Sequence, residues 1–455
     1  MTPRRTFVFE RRVARLLGEL GRGLMQQTFQ QLEPAEPELL PSRLRLGPDE
    51  YRRNRRTRCT LATLFGTIAL SRWLYQPVTP GTPSVFPLEI ALGVLGGRAT
   101  PALGDVVGRL SAELTQSQTR GVLSERYGVR WSVGTLRKVT AALAEELAPL
   151  RHETQLAQVL QWLDHAAKSQ GKHAVTLVVG RDGVMLPMRP FWEEAAVATL
   201  SVVDRAGQRL GTVYLGQLPE ANQPTLTRDL TRLLRDVLAA WTGATPRLHY
   251  VTDAGHHPQD YFRRVLRSLR HPRTGAKLLW TWCVDFYHAA ERITTLAEAL
   301  FGPGREACAW AAKMRRVLKE KTHGVTRVLQ SAQALRRSRG LHHGAKPFRA
   351  ALAYLRKYRP HMGYARYQRR GLAIGSGVTE AACKTIIGYR FKQSGMRWTR
   401  DHGQHILDLR LLLKSGVWIE AYQRHLTRLP PCQPATCRPP TAKAATFPLV
   451  FTLLA

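Results

Sequence analysis

The first thirty residues carry apolar side chains at the spacing of an α-helix. Large apolar residues stand at positions 9, 13, 16, 17, 20 and 24, with arginines between them. Residues three or four apart lie on one face of a helix, so we predict an amphipathic first helix. A Pro- and Glu-rich linker is predicted over residues 33–50. Beyond it, CTLATLFGTIALSRWLY (59–75) alternates well enough to predict two short strands around Gly66.

The middle of the chain predicts a β-sheet. Three apolar runs follow one another across short polar turns, and two more alternate with segments of helical leucine spacing. The runs are HAVTLVVGRDGVML (173–186), EAAVATLSVVD (194–204), RLGTVYLG (209–216), RLHYVTD (247–253) and KLLWTWCVD (277–285). Strands joined by tight turns run antiparallel, and strands separated by helices run parallel. We therefore predict an α/β fold whose mixed sheet has the order β-β-β-α-β-α-β, the ribonuclease-H-like pattern.

A strongly basic helical block interrupts the predicted catalytic core. Residues 287–370 predict helix throughout, and residues 301–379 contain 18 Lys and Arg against two acids, Glu306 and Glu320. We expect this block to be a DNA-facing insertion rather than only a solvated surface. The predicted parts are an N-terminal helix and linker (1–50), a mainly helical DNA-binding region (51–165), the first part of the catalytic core (170–286), the basic insertion (287–370), the final core helices (371–425) and a Pro-rich, disordered tail (426–455).

The net charge predicts a polyanionic partner. The chain has 68 Lys and Arg against 33 Asp and Glu, a formal net charge of +35. Its 44% apolar content is ordinary for a globular protein and excludes a disordered or collagen-like chain. Nucleic acid is the usual partner of so basic a protein. No uncharged apolar run is long enough to span a membrane, and the N-terminus lacks a signal-peptide core, so we expect a cytoplasmic, nucleoid-associated protein.

Several basic positions are candidates for contacts to DNA. The run YRRNRRTR (51–58) fits either a solvated linker or a set of phosphate contacts. The segment LSERYGVRWSVGTLRKVTAAL resembles a helix-turn-helix, with Gly128 at the turn and Ser132 capping the second helix. Basic residues beside Trp398 suit a phosphate clamp with a base-stacking platform, the alternative being a core Trp with surface arginines. The predicted contacts are Arg52, Arg53, Arg55, Arg56, Arg137, Lys138, Arg390, Lys392, Arg397 and Trp398.

Three acids stand where the predicted topology would bring them together. Asp182 follows the first strand, Asp253 ends the fourth, and Glu380 lies near the start of the helix after the basic block. Three clustered carboxylates repel one another unless cations neutralise them. Two Mg²⁺ ions roughly 3.5–4 Å apart would do so, and we expect Mn²⁺ to substitute. Taken singly, the acids also fit a hairpin turn, a helix cap and an ordinary first-turn residue.

The chain resembles bacterial insertion-sequence transposases of the ISKra type, a DDE group related to the eukaryotic Mutator-like transposases. The resemblance covers roughly residues 50–425. It rests on the segments GRDGVMLP, YVTDAGHHPQDYFRRVL, WCVDFYHAAERI, IGSGVTEAACK and YRFKQSGMRW. It implies that Asp182, Asp253 and Glu380 are the catalytic, metal-binding acids. A Cys-paired zinc ribbon of some relatives is not matched, because Cys59 stands alone.

The same resemblance places Asp285 and His288 near these acids, and the residues themselves make His256 and His257 further candidates. Asp285 and His288 form a D-x-x-H pattern that implies a role close to the site, the alternative being a structural Asp–His pair at a strand-to-helix junction. His256 and His257 fit metal ligation, but they also fit loop residues beside the site or a phosphate contact. Ser376 has no visible partner base, so we do not predict a nucleophile there.

The resemblance implies an enzyme that binds the terminal inverted repeats of its own element. Such an enzyme cleaves DNA by two-metal-ion hydrolysis and joins the 3′-OH ends to target DNA. A homodimer or larger assembly is expected, because two DNA ends must be brought together. Two alternatives remain: a ribonuclease-H-like nuclease without strand transfer, and a non-catalytic DNA-binding protein derived from a transposase.

Overall fold

A computed structural model of the chain describes residues 2–339, 346–428 and 433–434. The chain forms two compact units. The first comprises Met1–Leu103, Leu123–Arg130 and Arg428–Ala455, as far as these are described, and the second comprises Gly104–Val122 and Trp131–Thr427. His342, His343 and most of the predicted tail (426–455) lie outside the described residues.

The first unit combines a long helix with a small antiparallel sheet. Its elements are α1 (Pro3–Gln31), β1 (Arg43–Leu46), β2 (Asp49–Thr63), β3 (Gly66–Pro77), α2 (Pro87–Ala91) and β9 (Gln433–Pro434), with a 3₁₀ turn at Pro37–Leu39. The strand order is β3-β2-β1-β9. The predicted first helix is confirmed, but none of its residues is buried. Its last turns lie along β3, where the side chains of Gln26 and Gln30 bond to strand backbone.

The basic run at residues 51–58 is a strand and not a linker. It lies within β2, which pairs with β3 from Tyr51↔Pro77 to Thr63↔Gly66. The predicted linker at 33–50 likewise contains β1 and the start of β2. Leu61, Ile68 and Leu70 lie in a buried apolar core, and the exposed arginines of β2 are not part of it. The hairpin is therefore longer than the two short strands that we predicted, because the strand continues through the arginine-rich run.

Three helices follow the first sheet. They are α3 (Pro101–Glu113), α4 (Gln116–Tyr127) and α5 (Val133–Lys168). At the predicted helix-turn-helix, Gly128 adopts a positive φ of 64° and the Ser132 hydroxyl accepts a hydrogen bond from Thr135 N at 3.1 Å. The second helix is 36 residues long, and its buried side chains make it a core helix of the second unit.

The second unit has an α/β fold built on a mixed five-stranded sheet. Its strands are β4 (Thr176–Pro187), β5 (Trp192–Val203), β6 (Arg209–Gln217), β7 (Arg247–Thr252) and β8 (Trp280–Val284). They lie in the order β6-β5-β4-β7-β8. β4, β5 and β6 pair antiparallel, whereas β7 runs parallel to both β4 and β8. Between the later strands lie α6 (Pro224–Ala240) and α7 (His256–Tyr261), the latter continued by a π-helical turn, Phe262–Leu266.

A helical series follows the last strand. It comprises α8 (Phe286–Phe301), α9 (Arg305–Glu320), α10 (Gly324–Ser338), α11 (Lys346–Tyr358), α12 (Tyr364–Arg369), α13 (Gly377–Ala382), a π-helical turn (Cys383–Gly388), α14 (Tyr389–Phe391), α15 (Arg400–Lys414) and α16 (Trp418–Arg428). We call α8–α12 the helical block. None of the helices in the described part of the chain has the length and apolar character needed to cross a membrane.

Two apolar cores hold the sheet of the second unit. Successive side chains of a strand point to opposite faces, so Ala196 and Ala198 enter one core while Val197 enters the other. The first core joins the sheet to α5, α6 and the helical block. The second contains Val197, Ile386 and Leu407, and it attaches the helices after residue 376 to β4 and β5. Each buried leucine contributes roughly 1.5–3 kcal/mol. The second core therefore fixes the helix that carries Glu380.

Candidate active site

Asp182 lies on β4, and Asp253 directly follows β7, the parallel strand beside it. The ladder between β4 and β7 ends at the pair Gly180↔Val251, and each aspartate lies two residues beyond it. Adjacent strands are about 4.8 Å apart, so the two acids stand side by side where β4 and β7 separate. Gly183 N donates to Asp182 Oδ1 at 2.7 Å, and Gly255 N donates to Asp253 Oδ1 at 2.8 Å.

Asp182 does not lie in the turn that its Asp-Gly pair predicts. β4 continues to Pro187, and Asp182 pairs with Val197 of β5. An Asp-Gly pair favours a turn only where the chain reverses, and here β5 holds it extended. Gly183 gives room for a neighbour, because a β-carbon there would lie 1.8 Å from Glu194 Oε1.

The three predicted acids share one electrostatic environment. Burial raises the pKa of Asp182 above its ordinary value, and the charge of Asp253 raises it further. Glu380 acts in the same direction more weakly, while hydrogen bonds from Gly183 and Cys383 act against these effects. A like charge raises the pKa of a carboxyl only when it is near, so Asp253 and Glu380 both lie in the neighbourhood of Asp182.

Glu380 lies in the first turn of α13, which packs closely on β4. Thr379 Oγ1 lies 2.9 Å from Thr199 Oγ1 of β5. This approach depends on Gly180, which has no side chain to obstruct Thr379. The Gly-rich segment before α13 therefore delivers Glu380 to the sheet beside the aspartates.

Cys383 is a residue of this region that our sequence analysis missed. Its thiol donates to Asp182 Oδ2 at a sulfur–oxygen distance of 3.6 Å. Burial raises the pKa of the Cys383 thiol, and the charge of Asp182 adds to the effect, so the sulfur keeps its proton. The spacing of Cys383 three residues after Glu380 was the available signal, because such residues share a helix face.

Asp285 is fully buried and joins two segments of the chain. Its Oδ1 atom accepts hydrogen bonds from Tyr287 N at 2.5 Å and from His288 N at 3.1 Å, capping α8. Its Oδ2 atom accepts from the backbone N and the hydroxyl of Ser376. Asp285 and His288 thus meet at a strand-to-helix junction, as the structural alternative has it, through a bond to the His288 backbone. The His288 ring lies 3.5 Å from Glu291 and 4.0 Å from Glu380.

His256 and His257 begin α7, just after Asp253. His256 Nε2 lies 3.8 Å from Asp260, and His257 Nε2 lies 3.7 Å from Glu194. The two imidazole rings meet edge to face at 5.2 Å. They therefore lie on a helix and not in a loop, and each has a carboxylate neighbour of its own.

Four tyrosines of the helical block donate hydrogen bonds to backbone carbonyls at the ends of β7 and β8. The Tyr354 hydroxyl donates to Asp253 O at 3.1 Å, and the Tyr358 hydroxyl donates to Ala254 O at 3.2 Å. Tyr364 and Tyr367 donate to carbonyls of Val284 and Trp282, at 2.9 and 3.2 Å. We call these four residues the tyrosine clamp. We did not predict this clamp, although the sequence carries a visible signal for it in tyrosines spaced three or four residues apart within a basic block.

The predicted DNA contacts divide into exposed and buried residues. Arg390 is 1% exposed and donates to Ser111 O at 3.1 Å. Trp398 is 8% exposed and donates to Phe391 O at 3.0 Å. Neither can reach DNA in this conformation, so the predicted clamp with a Trp platform is wrong and the core-Trp alternative holds. Arg53 is half-buried and bonded to Leu40 O at 2.7 Å. The exposed members of the set are Arg52, Arg55, Arg56, Arg137, Lys138, Lys392 and Arg397.

The donor chemistry of the site fits a hard divalent cation. Asp182, Asp253 and Glu380 offer carboxylate oxygens, the ligands that Mg²⁺ and Mn²⁺ prefer. A cation would also offset the mutual repulsion that raises the pKa of Asp182. Within the described ranges, however, no group of three or more His, Cys, Asp or Glu side chains already has a metal-binding arrangement. The acids are near one another without being gathered around one point.

Comparison with known proteins does not identify a relative. No protein-family model matches the chain, and a search of curated proteins finds no match.

Proposed function

We propose that the chain is a DDE transposase whose second unit is a ribonuclease-H-like catalytic core. The observation that carries the proposal is the placement of Asp182 on β4 and of Asp253 directly after the neighbouring β7, with Glu380 near enough for its charge to act on Asp182. A sheet of three antiparallel strands followed by two parallel ones supports this fold. The motif resemblance supports the ISKra-type group, and the helical block would be the insertion of that group.

The proposed chemistry is in-line displacement at a phosphodiester. Two Mg²⁺ ions, or Mn²⁺ in their place, would activate the attacking oxygen and stabilise the leaving 3′ oxygen. Asp182, Asp253 and Glu380 would hold these ions. The strands keep the two aspartates at a constant spacing, and α13 adds the third carboxylate from the side. Burial of Asp182 limits water access and strengthens each electrostatic interaction in the site.

The surface charge supports a DNA substrate. The helical block carries exposed cations, among them Arg316, Arg349 and Arg356, and the exposed arginines of β2 add a second basic surface. Such residues bind phosphates and position a protein without reading sequence. We propose that element ends and target DNA are bound in this way by two or more copies of the chain at the nucleoid.

The test is cleavage and joining of labelled DNA that carries the inverted repeats flanking the gene. Wild type and Asp182→Asn are compared with Mg²⁺, with Mn²⁺ and with chelator. Metal-dependent nicks together with joined products, in the wild type alone, are the expected result. Nicks without joined products would favour the nuclease alternative, and tight DNA binding without nicks would favour the non-catalytic one.

A further inference from the structure

The Ser376 hydroxyl lies between two carboxylates. Its Oγ atom is 2.7 Å from Asp285 Oδ2 and 2.7 Å from Glu380 Oε1. A serine directly before a helix usually caps it by accepting a hydrogen bond from the first turn. Ser376 precedes α13 but its side chain makes no capping bond. The hydroxyl is directed to the carboxylates instead.

Asp285 is fixed more firmly than either of its neighbours. Three backbone N–H groups donate to its carboxylate, from Tyr287, His288 and Ser376. The backbone N of Asp285 itself donates to Thr252 O at 2.8 Å, one residue before Asp253. Asp285 therefore ties the Gly-rich segment before α13 to the strand end that carries the second acid.

Glu380 has few fixed contacts. Its side chain is 41% exposed, and His288 Nε2 is 4.0 Å from Oε1. Among the described residues, Ser376 makes the one hydrogen bond found at its carboxylate. A long, half-exposed side chain samples several rotamers unless a partner selects one of them. The Ser376 hydroxyl is placed to make that selection.

We propose that Asp285 and Ser376 are positioning residues for Glu380. Asp285 accepts a hydrogen bond from the backbone N of Ser376 and so fixes this residue. The Ser376 hydroxyl then donates its one proton to Glu380 Oε1 and orients that carboxylate toward Asp182 and Asp253. This inference rests on the proposed function in one respect, that the three acids bind divalent cations. It assigns the D-x-x-H aspartate and the serine of the GSGxxE run to one hydrogen-bonded chain. Neither residue touches the reacting phosphate.

The direct test is Ser376→Ala in the full chain, with Ser415→Ala as the matched control. Ser415 is 3% exposed, and its hydroxyl accepts hydrogen bonds from Gln155 Nε2 and Tyr214 N, both at 3.0 Å. The two serines are thus alike in burial and in having two partners at the hydroxyl, but Ser415 contacts none of the three acids. Mn²⁺ binding is measured by titration calorimetry, and DNA affinity and melting temperature are measured beside it.

Ser376→Ala is expected to bind Mn²⁺ about 10-fold more weakly than the wild type, the usual effect of removing a partner of a metal ligand. Its DNA affinity should not change, and excess Mn²⁺ should restore the cleavage rate, which a purely structural defect would not allow. Ser415→Ala should bind Mn²⁺ as the wild type does. Equal Mn²⁺ affinity for the two variants would overturn the proposal.

A second variant keeps the inference separate from general damage to the fold. In Asp285→Asn one oxygen can still cap α8, but the amide nitrogen cannot accept a hydrogen bond from Ser376 N, so Ser376 loses the contact that fixes it. The same loss of Mn²⁺ affinity, in protein that still melts cooperatively, is expected. Wild type that binds Mn²⁺ and fails to cleave DNA would remove the proposed function while the Mn²⁺ result still decides the inference. Wild type that binds no Mn²⁺ would overturn both.

Discussion

Thr379 occupies the space in which a side chain of Gly180 would stand. A β-carbon at residue 180 would lie 1.8 Å from Thr379 Oγ1 and 2.8 Å from Thr199 Oγ1. The absence of a side chain at one strand position therefore sets how closely α13 approaches β4. Glu380 follows Thr379 directly, so this packing also sets the distance of the third acid from the sheet.

Gly180→Ala is predicted to separate α13 from β4. Overpacking of this kind costs about 1–3 kcal/mol, and the displaced helix would carry Glu380 away from the aspartates. We expect a lower melting temperature and a larger loss of DNA cleavage than of DNA binding. The control is Gly216→Ala on β6, where a β-carbon meets Leu411 and Leu407 at an ordinary 3.4–3.5 Å. Equal cleavage by the two variants would contradict this reading of the contact.

Asp182→Asn is predicted to make the protein more stable and inactive. Burial and Asp253 raise the pKa of Asp182 in the folded state, so ionising this carboxyl lowers stability as the pH rises above its ordinary pKa of 3.8. The wild type should therefore lose stability relative to the variant between acid and neutral pH, by on the order of 1 kcal/mol at pH 7.

Thermal melts of both proteins from pH 4 to pH 8 measure this difference. Mg²⁺ should raise the melting temperature of the wild type more than that of Asp182→Asn, because a bound cation stabilises the folded state. If Asp182→Asn were less stable than the wild type, and by the same amount at pH 7 as at pH 4, ionisation of Asp182 would not destabilise the fold.

Removing hydroxyls of the tyrosine clamp is predicted to impair cleavage. Tyr354→Phe and Tyr358→Phe each lose a hydrogen bond to the backbone around Asp253, which costs about 1 kcal/mol of stability. The strand end should become more mobile, and cleavage should fall while DNA affinity stays constant. Tyr389→Phe is the control, since Tyr389 is 68% exposed. If all three variants cleave alike, the helical block does not position the second acid.

The salt dependence of DNA binding separates exposed from buried arginines. Replacing exposed Arg316 and Arg349 with Gln should lower the slope of log affinity against log salt by roughly 0.9 for each DNA phosphate that is no longer neutralised. Arg390→Gln should leave that slope unchanged and lower the melting temperature instead, because Arg390 is buried. A changed slope for Arg390→Gln, measured by fluorescence anisotropy over several salt concentrations, would mean that this residue reaches DNA after all.

The sequence predicted the class of the fold and its strand order because both depend on local patterns. Alternating apolar runs and helical leucine spacing indicated the five strands of the second unit and the helices between them. Local sequence features gave wrong predictions at positions where pairing with another strand determines the structure. The Asp182-Gly183 pair lies within β4 because β5 pairs with it, and the basic run at 51–58 is a strand because β3 does so.

The candidate site was predicted only in part. Asp182, Asp253 and Glu380 stood out in the sequence because each lies in or next to a strand or helix that its local pattern indicates. Cys383, Ser376 and the tyrosine clamp make contacts across 80 to 201 residues of chain, and local spacing can mark such residues but does not identify their distant partners. The burial of Arg390 and Trp398 likewise depends on packing against segments that are distant in the sequence.

Mn²⁺ binding by single amide variants tests the central claim most directly. Asp182→Asn, Asp253→Asn and Glu380→Gln are titrated in the calorimeter beside the wild type and Asp401→Asn, an exposed acid on α15. One shared site predicts that each of the first three loses at least about 10-fold in affinity, while Asp401→Asn binds as the wild type does. Wild-type Mn²⁺ affinity in the first three variants would show that these acids do not form a metal site.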